Sequence, residues 1–207
     1  AYMSFDYNGK NSLKDFNTVI NYTLELAGSD PDYTATEVPG RDGDVITSNG
    51  RDKSVSQAFS LTCLDPYPQS VTTLNNLVQW LRSDLAWHNF VLRDIETDYT
   101  RVGMVVAAVP VSLAEDYPTA TVTFNFEPRK YLTSGLVSVA LKSGDTFTNS
   151  TGIVAKPRIV LTGEGDTDLT VGGSVYHLKG ISQGVVIDSK QVSVTNLAGT
   201  VNQFNWY

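Results

Sequence analysis

A period of two in the apolar residues limits most sharply what this chain can fold into. In residues 122–126 the even positions Val122, Phe124 and Phe126 are apolar and Thr123 and Asn125 are polar, while the odd positions between Val55 and Cys63 bring Val55, Phe59, Leu61 and Cys63 to one face. Successive side chains of a strand point to opposite faces, so the pattern predicts strands with one buried and one solvated side. Glycine-containing pairs punctuate such runs at Asn8-Gly9, Asp42-Gly43, Asn49-Gly50 and Gly172-Gly173. Glycine supplies the positive φ that tight turns require, and several hairpins are predicted. With 41% hydrophobic and 18% charged residues, the composition is that of an ordered, β-rich protein.

One segment departs from this period. Val71, Leu74, Leu77, Val78, Leu81 and Leu85 recur at the spacing of an amphipathic helix. Pro66 and Pro68 stop the preceding strand and Ser70 can cap the first turn, so the spacing predicts a helix over about 70–85, packed on a sheet. Trp80 on that helix and Trp87 just after it are expected to be packing residues.

The chain is 207 residues long, enough for two small domains, and its charge is unevenly distributed. Residues 1–130 hold 17 acids and 10 bases, whereas 131–207 hold 5 of each, so the whole net charge of -7 lies in the first part. We place a domain boundary there, between an N-terminal domain of residues 1–130 carrying the helix and a C-terminal one of 131–207. The second shows strand patterns near 157–161, 168–171, 174–178 and 184–188 joined by short glycine turns, as in a β-sandwich. The expected fold class is mainly β, two β-sandwich domains with one amphipathic helix.

Several functions are disfavoured by the residues themselves. The acidic balance argues against specific nucleic-acid binding and against anionic membranes. No apolar run approaches the roughly 18 residues that cross a bilayer, and the opening AYMSFDYNGK lacks the regions of a signal peptide, so a soluble protein made in a cytoplasm is expected. A single cysteine, Cys63, and two distant histidines, His88 and His177, offer no usual metal or cofactor constellation; neither is expected. Cys63, on an apolar strand face, reads as a small core residue.

Two acidic clusters are candidates for chemistry. Glu164, Asp166 and Asp168 alternate, but a calcium loop starting at Glu164 would need glycine where Leu169 stands and glutamate where Val175 stands, so the stretch reads as a solvated turn between strands. Asp94, Glu96 and Asp98 alternate along an expected strand, and paired carboxylates are the equipment of glycoside hydrolysis, although an acidic strand face is far more often merely solvated. No nucleophile or phosphate-loop motif occurs, and no enzyme is expected.

Read in order, Met3-Ser4-Phe5-Asp6-Tyr7-Asn8-Gly9-Lys10-Asn11-Ser12, Val38-Pro39-Gly40-Arg41-Asp42-Gly43-Asp44, the Trp80-Leu81 helix, a strand region with Asp94 and Tyr99, and Phe124-Asn125-Phe126-Glu127-Pro128 resemble the phage distal tail protein family, Dit. Asn149 to Pro157 and Gly163-Glu164-Gly165-Asp166 resemble the opening of that family's second domain. The resemblance implies a structural protein of the tail tip of a long-tailed phage of a Gram-positive bacterium, assembled in the host cytoplasm. It implies a hexameric ring of self-contacts made by the N-terminal domain, placed between the tail tube protein and a tail-associated tip protein or baseplate, with a bore through which DNA passes. The C-terminal domain would be a galectin-like or carbohydrate-module-like sandwich holding a receptor-binding protein. An acidic bore would repel phosphates and let DNA slide. Family members run on beyond an aromatic strand like Phe204-Asn205-Trp206-Tyr207 into a turn and a final strand, so a short member or a fragment, with a second sandwich lacking an edge strand, is expected.

Within the resemblance, Pro39, Gly40, Arg41, Asp42 and Gly43 are expected to form a fixed turn, with Gly40 or Gly43 at positive φ and Asp42 capping it. Arg41 and Asp42 at this tip, with Arg51 and Asp52 at a second, are the candidates for contacts between subunits. The competing reading is a stand-alone carbohydrate-binding module, which would show an exposed aromatic platform.

Overall fold

The computed structural model describes residues 2–21, 24–113 and 116–200. The segment Phe204-Asn205-Trp206-Tyr207 lies outside them. The chain separates into two units, Ala1–Ala140 and Leu141–Tyr207.

The first unit opens with β1 (Ser4–Tyr7) and β2 (Lys10–Asn11), a hairpin turned by Asn8 at φ 41° and Gly9 at φ 74°. A short helix, α1 (Ser12–Phe16), follows. The Asn11 side chain caps it, accepting from the amides of Leu13 and Lys14, and Asp15 accepts the Asn11 amide in return. Next come β3 (Thr18–Ile20), β4 (Pro31–Thr36), β5 (Val45–Asp52), β6 (Val55–Cys63), α2 (Gln69–Leu81), β7 (His88–Arg93), β8 (Tyr99–Met104), β9 (Val111–Ser112), β10 (Thr119–Phe126) and β11 (Tyr131–Leu132).

Nine of these strands form one antiparallel sheet in the order β2-β1-β7-β8-β10-β6-β3, with β11 on β8 and β9 on β10. The sheet curls until its far edge returns to its beginning, where the Ile20 amide donates to the Met3 carbonyl at 2.8 Å. The period of two is realised as predicted: Val122, Phe124 and Phe126 on β10, and Phe59, Leu61 and Cys63 on β6, are all buried. They enclose an aromatic core in which Phe5, Phe59, Phe90, Phe124 and Phe126 meet at ring distances between 5.0 and 6.4 Å. Trp80 reaches this core from α2 and stacks on Phe16 at 4.7 Å.

Helix α2 starts one residue before the expected 70–85 span and ends four residues short of it. Ser70 is not its cap, because the Ser70 amide already donates to the Pro66 carbonyl, which places Ser70 inside the first turn. Pro68 holds the N-cap position without a side-chain hydrogen bond. At the other end, Asp84 accepts the Ala86 amide and pairs with His88, turning the chain into β7 and leaving Leu85 exposed. Trp87, expected to pack, is 43% exposed for the same reason.

Residues 131–133, just past the composition shift at 130, pair within the first unit, which runs ten residues past that shift to Ala140. Tyr131 and Leu132 pair with Thr100 and Tyr99, and the Thr133 amide donates to the Asp98 carbonyl.

The second unit contains β12 (Arg158–Thr162), β13 (Gly165–Val171), β14 (Ser174–Ile181), β15 (Gly184–Asp188) and β16 (Ser193–Asn196). They form a three-stranded sheet, β12-β15-β16, and the hairpin β13-β14, turned by Gly172 and Gly173. A small core gathers Leu178, Ile181 and Val185 with Leu161, Leu169, Ile187 and Val194 around it.

Candidate functional site

The element that stands apart from the curled sheet is the β4-β5 hairpin. Among the described residues its two strands pair only with each other, and nearly every residue in them is exposed. We call it the arm. Tyr33 opposite Ser48 and Ala35 opposite Ile46 share one side, with Tyr33 50% and Ile46 59% exposed; Thr34 opposite Thr47 lies on the other. The arm therefore has one apolar and one polar side. Residues 25–53 carry seven acids against three bases, so the region is net negative.

The tip holds Pro39, Gly40, Arg41, Asp42 and Gly43. Gly40 and Gly43 both take positive φ, 82° and 75°, which glycine adopts without steric cost. The Arg41 amide closes the turn on the Val38 carbonyl at 3.1 Å, and among the described residues the Asp42 carboxylate caps nothing.

Arg51 and Asp52 do not form a second tip. They end β5 at the root of the arm, at the opposite end from Arg41. The cause is Asn49-Gly50, which makes a bulge instead of a turn: Pro31 faces Asp52 and Tyr33 faces Ser48, so Asp32 alone opposes Asn49, Gly50 and Arg51. A glycine at positive φ, here 71°, serves a bulge as well as a turn. The Arg51 side chain donates to Asp32 within the same arm at 2.6 Å. Hydrogen bonding from Asn49 and then from Arg51 holds the Asp32 carboxyl below the usual range. Arg41, Asp42 and Asp52 enter no ion pair among the described residues.

The root is pinned along the outer edge of β6. The Asn21 amide donates to the Ser60 carbonyl, the Ala27 amide to Gln57 Oε1, and the Lys53 amide to the Asp30 carbonyl. Gln57 Nε2 donates in turn to the Glu25 carbonyl at 2.9 Å. Sequence reasoning missed Gln57, although a signal was present: it is the one polar residue in the inward row Val55, Gln57, Phe59, Leu61, Cys63.

The acidic clusters are put to structural use. Asp94, Glu96 and Asp98 lie in the turn between β7 and β8 and not along a strand, because Asp94 takes a positive φ of 68° that ends the extended run. Glu96 accepts from Arg101 and Lys130 at 2.8 Å each, tying the chain after β10 to this turn. Burial works to raise its pKa, but hydrogen bonds from Lys130 and Arg101 outweigh that, leaving it below the usual carboxylate range. Asp166 and Asp168 sit in β13, not in a turn: Asp166 accepts the Gly180 amide and Asp168 pairs with His177 across the hairpin at 2.6 Å. No group of three or more His, Cys, Asp or Glu side chains among the described residues could hold a metal ion.

No family model matches the chain, and no curated protein matches it significantly. Among solved structures it is similar to the crystal structure of SPP1 Dit (gp 19.1), presented as a paradigm of the hub adsorption apparatus in Gram-positive infecting phages. The TM-score is 0.60 over 97% of this chain and 85% of that one, at 12% sequence identity. The chain has the fold of a Dit protein. At that identity the agreement is one of architecture, reached through different side chains. The expected mainly β fold is present, with the expected helix as α2 and the short α1 added to it.

Proposed function

We propose that the chain is a structural component of a phage tail tip: one subunit of a hexameric hub ring that joins the tail tube to the tip or baseplate and leaves a bore for DNA. The observation that carries the reading is the Dit fold running through nearly the whole chain, in a protein whose arm has no other strand partner among the described residues. An isolated two-stranded hairpin is marginally stable in water, and this one also exposes Tyr33 and Ile46 on one side. A neighbouring copy supplies the missing surface, and a closed cyclic arrangement lets every arm find one.

In this reading residues 1–130 build the ring. Residues 131–207 form the outward sandwich that carries a receptor-binding protein. The tail tube protein and a tail-associated tip protein are the axial partners. The particle is assembled in the host cytoplasm and ends in the virion. The acidity of residues 1–130 suits a bore through which phosphates slide without sticking.

Native mass spectrometry and sedimentation over a concentration series test this. A sixfold species supports the reading; a strict monomer at the highest concentration, for the whole chain, rejects it.

A further inference from the structure

We propose that Gln57 is the residue that positions the arm, setting the line along which the chain leaves the sheet. The claim starts from its place in β6. Val55, Gln57, Phe59, Leu61 and Cys63 point inward and are all buried, Gln57 at 9% exposure. A side-chain amide at such a position is unfavourable unless its polar atoms are bonded. Here they are. Oε1 accepts the Ala27 amide at 2.7 Å, and Nε2 donates to the carbonyls of Glu25 and Ala58 at 2.9 Å each.

The partners explain what the amide does. Among the described residues the ladder between β3 and β6 runs to Ile20 opposite Leu61, and the Asn21 amide adds a main-chain bond to the Ser60 carbonyl beside it. Near the arm the Lys53 amide reaches the Asp30 carbonyl at 2.8 Å. Between those points the strap of residues 24–30 is offered a hydrogen-bonding edge by the Gln57 side chain. A primary amide carries one acceptor and two donors, so it can satisfy an N–H and a C=O of the strap together, as a backbone peptide would. Bonding both Glu25 and Ala27 fixes the direction of the strap as well as its position, and the strap runs directly into Pro31, the first residue of the arm.

For its assembly readout the inference rests on the arm being a ring contact, and the test separates the two ideas. Gln57→Leu and Gln57→Met, made in the full chain, remove all three hydrogen bonds and keep an apolar side chain in the core. Amide exchange is followed at Ala27 and Lys53, with Phe59 and Val122 as core controls, alongside the ring-to-monomer equilibrium. Exchange at Ala27 and Lys53 should accelerate at least about tenfold while the core controls stay protected, because local opening of the strap does not require the sheet to unfold. Assembly should weaken in parallel. Unchanged exchange at Ala27 overturns the proposal, as does loss of core protection in both variants, which would make Gln57 a core residue only. Faster exchange with undiminished assembly supports the positioning role and removes the arm from the ring contact. A wild-type chain that never assembles rejects the ring reading alone, and the exchange data then judge Gln57 by themselves.

Discussion

The ring of Phe126 lies 2.5 Å from where a side chain on Gly103 would begin. The two residues face each other across β8 and β10, and Phe126 is 1% exposed, packed against Phe59, Phe90 and Phe124. A glycine inside a strand weakens it unless something needs the space, and here the aromatic core does. Gly103→Ala should therefore destabilise the first unit by about 1–3 kcal/mol, since a ring held on three sides cannot swing away. Urea unfolding followed by tryptophan fluorescence reads this; a midpoint equal to wild type would mean that the core has slack at this point.

The Cys63 thiol should be inert in the folded chain. It is fully buried on β6, and burial pushes its pKa up. Thiolate is the reacting form, so a buried thiol with a raised pKa meets neither requirement. Labelling with a thiol reagent at neutral pH should proceed at the rate of unfolding and become fast in denaturant; rapid labelling under native conditions would contradict the packing of β6.

Stability should fall in acid partly through Glu96. Its folded-state pKa is lowered, so its contribution is present above the unfolded carboxylate value and is lost as pH falls through the folded value. The affected window is therefore below about pH 4.5. Glu96→Gln should remove about 1 kcal/mol near neutral pH, because two partly exposed cations lose their partner, and should flatten the acid limb of the stability curve. If the variant and wild type keep parallel acid limbs, other carboxylates such as Asp6 carry the dependence.

How far the sequence revealed this molecule depends on the range of the interaction involved. Local patterns were legible: alternation on β6 and β10, the apolar stripe of α2, and the turns at Asn8-Gly9 and Gly172-Gly173 each depend on neighbours within one element. Asn49-Gly50 was misread because a glycine at positive φ serves a bulge and a turn alike, and only the pairing of Pro31 with Asp52 distinguishes them. Helix α1 was missed because it is a single capped turn, too short for a periodic signal. Glu96 stands out in the sequence as an acid and Gln57 as a polar residue in an apolar row, but their roles were opaque because their partners, Lys130 and Ala27, are about 30 positions away.

Gly43→Val should separate the arm from the body of the fold. Gly43 has a φ of 75° and open space where a side chain would begin, so the cost is backbone strain alone, on the order of 1–2 kcal/mol for a non-glycine residue. The tip lies at the far end of a hairpin that pairs only with itself, so the strain should distort the tip while the sheet keeps its melting temperature within about 2 °C. Assembly should weaken if the tip meets a neighbour. A large drop in melting temperature would show that the tip supports the sheet after all.

The charges of the arm give the sharpest test of the proposed contact between copies, because its two arginines are in different situations. Arg51 is engaged with Asp32 at the root, so Arg51→Glu places two carboxylates side by side and should disturb the arm within a single chain. Arg41 sits at the tip of a net negative region and forms no ion pair among the described residues, so it is free to meet an acidic surface on a neighbouring copy. An exposed pair of this kind contributes only about 0.2–1 kcal/mol, so Arg41→Ala should barely change a monomer. In the proposed ring the contact would repeat at every subunit, so Arg41→Glu should shift a ring-to-monomer equilibrium measurably. Salt screens exposed charges, so the defect should shrink as ionic strength rises from about 0.05 to 0.5 M. A defect in Arg41→Glu that salt relieves, with wild-type melting of the monomer, locates the tip against a neighbour; an equilibrium untouched at both salt concentrations removes Arg41 from the interface.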